Sequence, residues 1–274
     1  MIKKNKSETD SLRQGLEHGF CRICNSYGLL TRDHVPPQSC GNSGDIVIDG
    51  CKYQGGYKAR TICGRCNNEL LGKNYDLEFK KLYDEYKALI NPGIKLPPFR
   101  KLVFNCSQEK LLKCFIGHFL AVSLFENEIS VQNELSHEIN NKIKLRDDFR
   151  RYFLGLGSLD NYDVFYWAYP YERLVISQCF GRIEDILRSN KSFSTGTVIK
   201  MYPLAIYLVD KTNSQYHPYK LPKINISMKQ FTLDFKYKVH EEWPERNPGR
   251  NGVLLSSSET LKMVNLNPLK KIHK

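Results

Sequence analysis

Cys21-Arg-Ile-Cys24, Thr31-Arg-Asp-His-Val-Pro-Pro37 and Cys63-Gly-Arg-Cys66-Asn67-Asn68 are the stretches on which the reading of the chain turns. A Cys-x-x-Cys turn brings two sulfurs to one metal ion, and two such turns close a tetrahedral site of the kind zinc favours. The expected ligands are Cys21, Cys24, Cys63 and Cys66. A closed four-cysteine site leaves no coordination position for a substrate, so the expected zinc is structural and any chemistry lies beside it. The chain has nine cysteines, an odd number, and no apolar run after its charged start that would serve as an export signal. A disulfide framework is therefore not expected, and a cytoplasmic location is the default.

Between the pairs stand Asp33 and His34, and Asn67 follows the last cysteine. Asp33 offers a carboxylate oxygen and Asn67 an amide oxygen, the donors a hard ion such as Mg²⁺ prefers. His34 titrates near neutral pH and can take a proton from water. On a strand, adjacent Asp33 and His34 would face opposite sides, so serving one site needs a local bend. The zinc would fix Asn67 through Cys66.

The order Cys-x-x-Cys, Asp-His followed by proline, then Cys-x-x-Cys-Asn resembles the zinc-bearing branch of the HNH (His-Me finger) endonucleases, with the parts arranged as in endonuclease VII-like nucleases. The resemblance covers about residues 20–85. It implies a ββα-metal fold in which Asp33 and Asn67 hold a catalytic Mg²⁺ or Mn²⁺ and His34 is the general base. It further implies that Pro36 and Pro37 shape the turn after the histidine. The sequence departs from the pattern at one place. The middle Asn, an organiser of the loop, is missing from Gly55–Ile62, and Asn42 sits early in the loop.

The formal net charge of +12 is spread along the chain and favours a polyanionic partner. Nucleic acid is the expected partner, DNA ahead of RNA; Arg32, Arg65 and Lys73 are candidate phosphate contacts. No apolar run is long enough for a membrane span. The function expected is phosphodiester hydrolysis, in a setting such as restriction or anti-phage defence. The competing reading is a non-catalytic zinc-stapled module for nucleic-acid or protein binding.

The fold class expected is α+β. The breaker cluster Asn91-Pro-Gly-Ile-Lys-Leu-Pro-Pro98 divides an HNH domain, 1–92, from an α+β domain, 93–274, of substrate-binding, regulatory or dimerising role. Helices are expected at Ser11–His18, from Tyr75 to Leu89, at Gln108–Glu126 and at Ser136–Phe153, with a turn at Glu184–Arg188. Antiparallel strands are expected at Val164–Tyr169, Leu174–Phe180, Val198–Tyr202, Ile206–Val209 and Phe231–Val239, and the last twenty residues read as loosely ordered. The run Val164-Phe-Tyr-Trp-Ala-Tyr-Pro-Tyr171 is either alternation in a sheet or a base-stacking surface. His118 reads as a core residue, and Cys40 and Cys51 as thiols or substitute zinc ligands.

Overall fold

A computed structural model describes residues 15–48, 51–89, 101–122, 136–171, 173–178, 181–182, 196–211, 221–237, 239, 254–255 and 261–265. Strands β1 (His18–Phe20), β2 (Tyr27–His34) and β5 (Lys58–Cys63) form an antiparallel sheet in the order β1-β2-β5. The loop from β2 to β5 holds one 3-10 turn, Gln38–Cys40, and the hairpin β3 (Ile46–Ile48) with β4 (Cys51–Tyr53). Past β5 the chain enters a wide π-helical segment, Arg65–Tyr75, which runs straight into helix α1, Asp76–Leu89. Helix α1 buries Phe79, Leu82, Tyr83 and Tyr86 on the face that helical spacing predicts. Asp76 and Glu78 lie in its first turn, where the helix dipole favours negative charge.

Helices α2 (Gln108–Val122) and α3 (Ser136–Phe153) pack over this unit. Among α2's side chains, Leu111, Leu112, Phe115, Ile116, Phe119 and Leu120 are buried. At Gly117 an added Cβ would come within 2.5 Å of Leu71 and 2.6 Å of Phe153, so only hydrogen lets α2 approach both so closely. Strand β6 (Lys101–Phe104) pairs with β12 (Phe231–Asp234).

The largest sheet is antiparallel with the order β4-β3-β14-β8-β10-β11-β7. Its other members are β7 (Tyr162–Ala168), β8 (Arg173–Gln178), β10 (Gly196–Met201), β11 (Leu204–Asp210) and β14 (Leu261–Asn265). Alternation divides its side chains between two clusters. Tyr162, Val164, Tyr166, Ile199, Ile206 and Leu208 join the main core, while Phe165, Trp167, Tyr169, Val198, Tyr207 and Val209 form a second cluster on the opposite face. Strand β9 (Gly181–Arg182) pairs with β13 (Leu254–Leu255).

The protein is thus α+β, with helices and antiparallel sheets. The expected helices at Gln108 and Ser136 begin where the sequence places them, and α1 starts one residue after Tyr75. Two expectations change, and one open alternative is decided. Gly15 to Glu17 are not helical and His18 begins β1; residues 11–14 lie outside the described residues. The C-terminal stretch contributes β14, which pairs with both β3 and β8 because backbone pairing needs no long apolar run to announce it. The aromatic run is buried, with Phe165, Tyr166, Trp167 and Tyr169 each under a tenth exposed, so it is core and not a stacking surface. The expected turn at Glu184–Arg188 lies outside the described residues. The main core draws on residues from both sides of the Asn91–Pro98 breaker, from Ile23 and Ala59 to Phe149 and Leu208. No helix among the described residues is long and apolar enough to cross a membrane.

Candidate metal centre and adjoining cleft

The sulfurs of Cys21, Cys24, Cys63 and Cys66 lie within 4.8 Å of one another. Cys24 Sγ and Cys63 Sγ are 3.7 Å apart. Four sulfurs at about 2.3 Å from a zinc ion in a tetrahedron stand about 3.7 Å from each other, so the cluster has the size of a zinc site. Cys21 and Cys66 are fully buried. A hydrogen bond from Cys66 lowers the Cys21 thiol, towards the thiolate form that binds metal. Four cysteines can therefore hold a metal ion such as zinc here. Cys40 is not among them. It is buried elsewhere, and burial pushes its thiol up to about 12.

Several directional bonds fasten this knuckle. The register of β2 against β5 shifts between Thr31 and Arg32, which leaves Thr61 as an extra residue on β5. The Thr61 carbonyl accepts from the Arg22 N–H at 3.0 Å, and its hydroxyl donates to the Ala121 carbonyl at 2.6 Å. Arg22 Nη1 also reaches Ala121 O at 3.4 Å, so two side chains satisfy a carbonyl in the last turn of α2. Arg150 on α3 donates to the Ile23 carbonyl at 3.0 Å. At the other end of α2, Glu78 Oε1 accepts from the Ser107 N–H at 2.7 Å and ties that helix start to α1.

Beside the knuckle lies a cleft of about 340 Å³ lined by Arg32, Asp33, His34, Asn67, Asn68 and Asp76, among others. The bulge falls just before Arg32, and both Asp33 and His34 border the same cleft despite being neighbours on a strand. The Val35–Pro36 peptide after them is cis. Asn67 donates from Nδ2 to Thr31 Oγ1 at 3.0 Å and to the Arg32 carbonyl at 3.2 Å. Its nitrogen is thereby spent on β2, and the amide oxygen remains as the group it can offer to a cation. Burial, helped by the positive charge of Lys58, holds His34 below its ordinary value, and its Nε2 is a buried atom without a hydrogen-bond partner. Asp33 is buried, with Oδ2 likewise lacking a hydrogen bond, and burial raises its carboxyl against the opposing pull of His118. Asp33 Oδ2 faces His118 Nδ1 at 3.4 Å, and a carboxylate with an amide oxygen at one cleft is the donor chemistry that a hard divalent ion takes.

The structure thus brings Asp33, His34 and Asn67 together at one cleft, with Asn67 anchored next to a cysteine of the four-sulfur cluster. Of the candidate phosphate contacts, Arg32 lines the cleft, whereas Arg65 and Lys73 are not among its lining residues. Two further participants escaped the sequence reading. One is Asn42, whose side chain ties two parts of the β2–β5 loop together. Its Nδ2 donates to Pro36 O at 2.7 Å and Tyr57 O at 3.1 Å, and its Oδ1 accepts from the Tyr57 N–H at 2.9 Å. The early position of Asn42 is compensated by Gly56, at φ +83°, where an added Cβ would stand 2.1 Å from the Asn42 carbonyl oxygen. Asp76 is the second. It opens α1, borders the cleft and bonds to His118. Of the remaining histidines, His217 and His240 lie outside the described residues, and only the backbone of His137 is described. The chain matches no family model, no curated protein and no solved structure.

Proposed function

We propose that the protein is a metal-dependent endonuclease of the HNH type that hydrolyses phosphodiester bonds in nucleic acid, DNA in preference to RNA. The observation that carries this reading is the meeting of Asp33, His34 and Asn67 at one cleft beside a four-cysteine cluster. Asp33 and Asn67 would hold a divalent ion such as Mg²⁺ or Mn²⁺. When bound, that ion would supply positive charge for the phosphate and the leaving oxygen. The chain's own contributions follow from its residues. His34, kept neutral by burial and Lys58, accepts the proton of the attacking water at an imidazole nitrogen. Arg32 offers a guanidinium at the cleft for a phosphate oxygen. Zinc at Cys21, Cys24, Cys63 and Cys66 takes no part in the reaction; it sets the start of the helical segment that carries Asn67. The net charge of +12 draws a polyanion to the surface.

The test is incubation of the purified, zinc-loaded protein with supercoiled plasmid and with RNA, in Mg²⁺, in Mn²⁺ and in EDTA, beside His34→Ala. Metal-dependent nicking that falls by about 10²–10⁴ in His34→Ala, the range for loss of a general base, is the expected result. Tight binding of nucleic acid without cutting under any metal would overturn the reading in favour of a zinc-stapled binding module. The biological setting, a restriction-type or anti-phage effector controlled by a partner or by dimerisation, belongs to the same proposal and rests on the nuclease reading.

A further inference from the structure

His118 belongs to none of the motifs around the two cysteine pairs, yet it touches the cleft's chemistry. It is fully buried on α2, between two carboxylates from two other elements. Its Nε2 lies 2.9 Å from Asp76 Oδ1 at the start of α1, and its Nδ1 lies 3.4 Å from Asp33 Oδ2 on β2. The first contact is a hydrogen bond. The second is an ion-pair approach in which neither atom has a hydrogen-bond partner. Cys114, one turn earlier on α2, donates its thiol to the same Asp76 oxygen at 3.4 Å.

A neutral imidazole has one N–H and can serve one carboxylate; the protonated ring serves both. A carboxylate buried as deeply as Asp33 is costly unless a cation faces it. The three side chains form a chain of contacts, Asp76–His118–Asp33, that runs from a helix start through the core to the cleft.

We propose that His118 is a positioning residue that, braced by Asp76, fixes the Asp33 carboxylate for the divalent ion. The inference rests on the nuclease reading and assigns part of its site to α2, outside the zinc-bearing segment. Carboxylate ligands are themselves hydrogen-bonded by outer partners, and losing such a partner weakens metal affinity by about 10- to 100-fold. A different use of the cluster is a metal site made of Asp76, Cys114 and His118, whose ligand atoms lie within 4.8 Å of one another. The 2.9 Å separation of nitrogen and oxygen is that of a hydrogen bond, and burial pushes the Cys114 thiol up, away from the thiolate a metal needs. The Asp76–His118–Asp33 chain is the reading these values favour.

The experiment is a Mn²⁺ titration of the full chain, followed by paramagnetic resonance, with zinc content and thermal unfolding measured on each sample. His118→Gln keeps a donor at the place of Nε2 and loses the one facing Asp33. His118→Asn keeps a donor at the place of Nδ1. Asp76→Asn removes the brace. The expected result is one zinc per chain throughout and Mn²⁺ affinity weakened about 10-fold or more in His118→Gln. In His118→Asn, which retains the donor facing Asp33, the loss stays within about 3-fold. Asp76→Asn falls between. Equal Mn²⁺ affinity in wild type and His118→Gln overturns the positioning role while leaving the nuclease reading standing. So does loss of zinc and of the folded state in all three variants, which makes His118 a core residue only. Two zinc ions per wild-type chain, with one lost in His118→Gln, overturns it in favour of the metal cluster. Failure of the wild type both to bind Mn²⁺ and to cut plasmid overturns the nuclease reading and this inference together.

Discussion

Around the four-cysteine cluster, directional groups share the interior with apolar side chains such as Ile23, Leu30 and Ile62. Asp33, Asn42, Thr61 and His118 are buried there, and the side chains of Asn42, Thr61 and His118 make hydrogen bonds to partners on other elements. In strands β7, β10 and β11 the interior is mostly aliphatic and aromatic, and alternation sorts it onto two faces. The first kind of interior fails when one partner is lost, because an unpaired buried polar group costs its full desolvation. The second degrades in proportion to the surface removed. The cleft belongs to the first kind, and this is where close placement of oxygen and nitrogen matters.

Removing a zinc ligand is the harshest way to break the contrast. Cys66→Ser should abolish stoichiometric zinc and unfold the region around the cleft, because structural zinc supplies on the order of 10 kcal/mol of folding free energy in small zinc domains. Metal analysis together with calorimetry on the variant checks this; a folded, zinc-bearing Cys66→Ser would dissolve the distinction between the regions. Leu208→Ala attacks the sheet instead. Leu208 is fully buried, so a loss of about 3 kcal/mol is expected, with zinc content unchanged. Denaturant unfolding reads the first quantity and metal analysis the second. Asn42→Ala sharpens the contrast from the polar side. It strips partners from the Pro36 and Tyr57 carbonyls and the Tyr57 N–H, at an expected cost of about 2 kcal/mol. On the proposed nuclease reading, its cleavage rate should fall by more than its stability suggests, since the loop it clamps lies next to Pro37, Gln38 and Ser39 at the cleft. Kinetics at a temperature where the variant stays folded would show whether that excess exists.

The parts legible in the sequence are those whose partners are near neighbours. Cys-x-x-Cys spacing reports two sulfurs on one ion whatever the rest of the chain does, and Asn67 inherits its place from Cys66. Helices α1 and α2 show in the helical recurrence of Phe79, Leu82 and Tyr86 and of Leu112, Phe115 and Phe119. What stayed hidden depends on approach between distant segments. His118 reads correctly as a core histidine, but nothing local says that the carboxylates beside it are Asp33 and Asp76. The clamp of Asn42 could not be read from its position either, because Gly56, much later in the same loop, is what lets the two backbones meet. The bulge at Thr61 leaves no mark in the residue pattern, although it precedes the pairing of Arg32 and Asp33.

Strand β14 lies between β3 and β8 in the large sheet. It is the hairpin β3–β4, from the same loop that Asn42 clamps, that gains a neighbour when β14 arrives. During synthesis the ribosome releases that hairpin early and β14 late. Until then the β3 edge waits for its partner, and the loop above the cleft leans on the Asn42 clamp. Pairing of the β3 edge is therefore completed late in translation, and a chain cut short before residue 261 would carry the cysteine knuckle with that edge unpaired by β14.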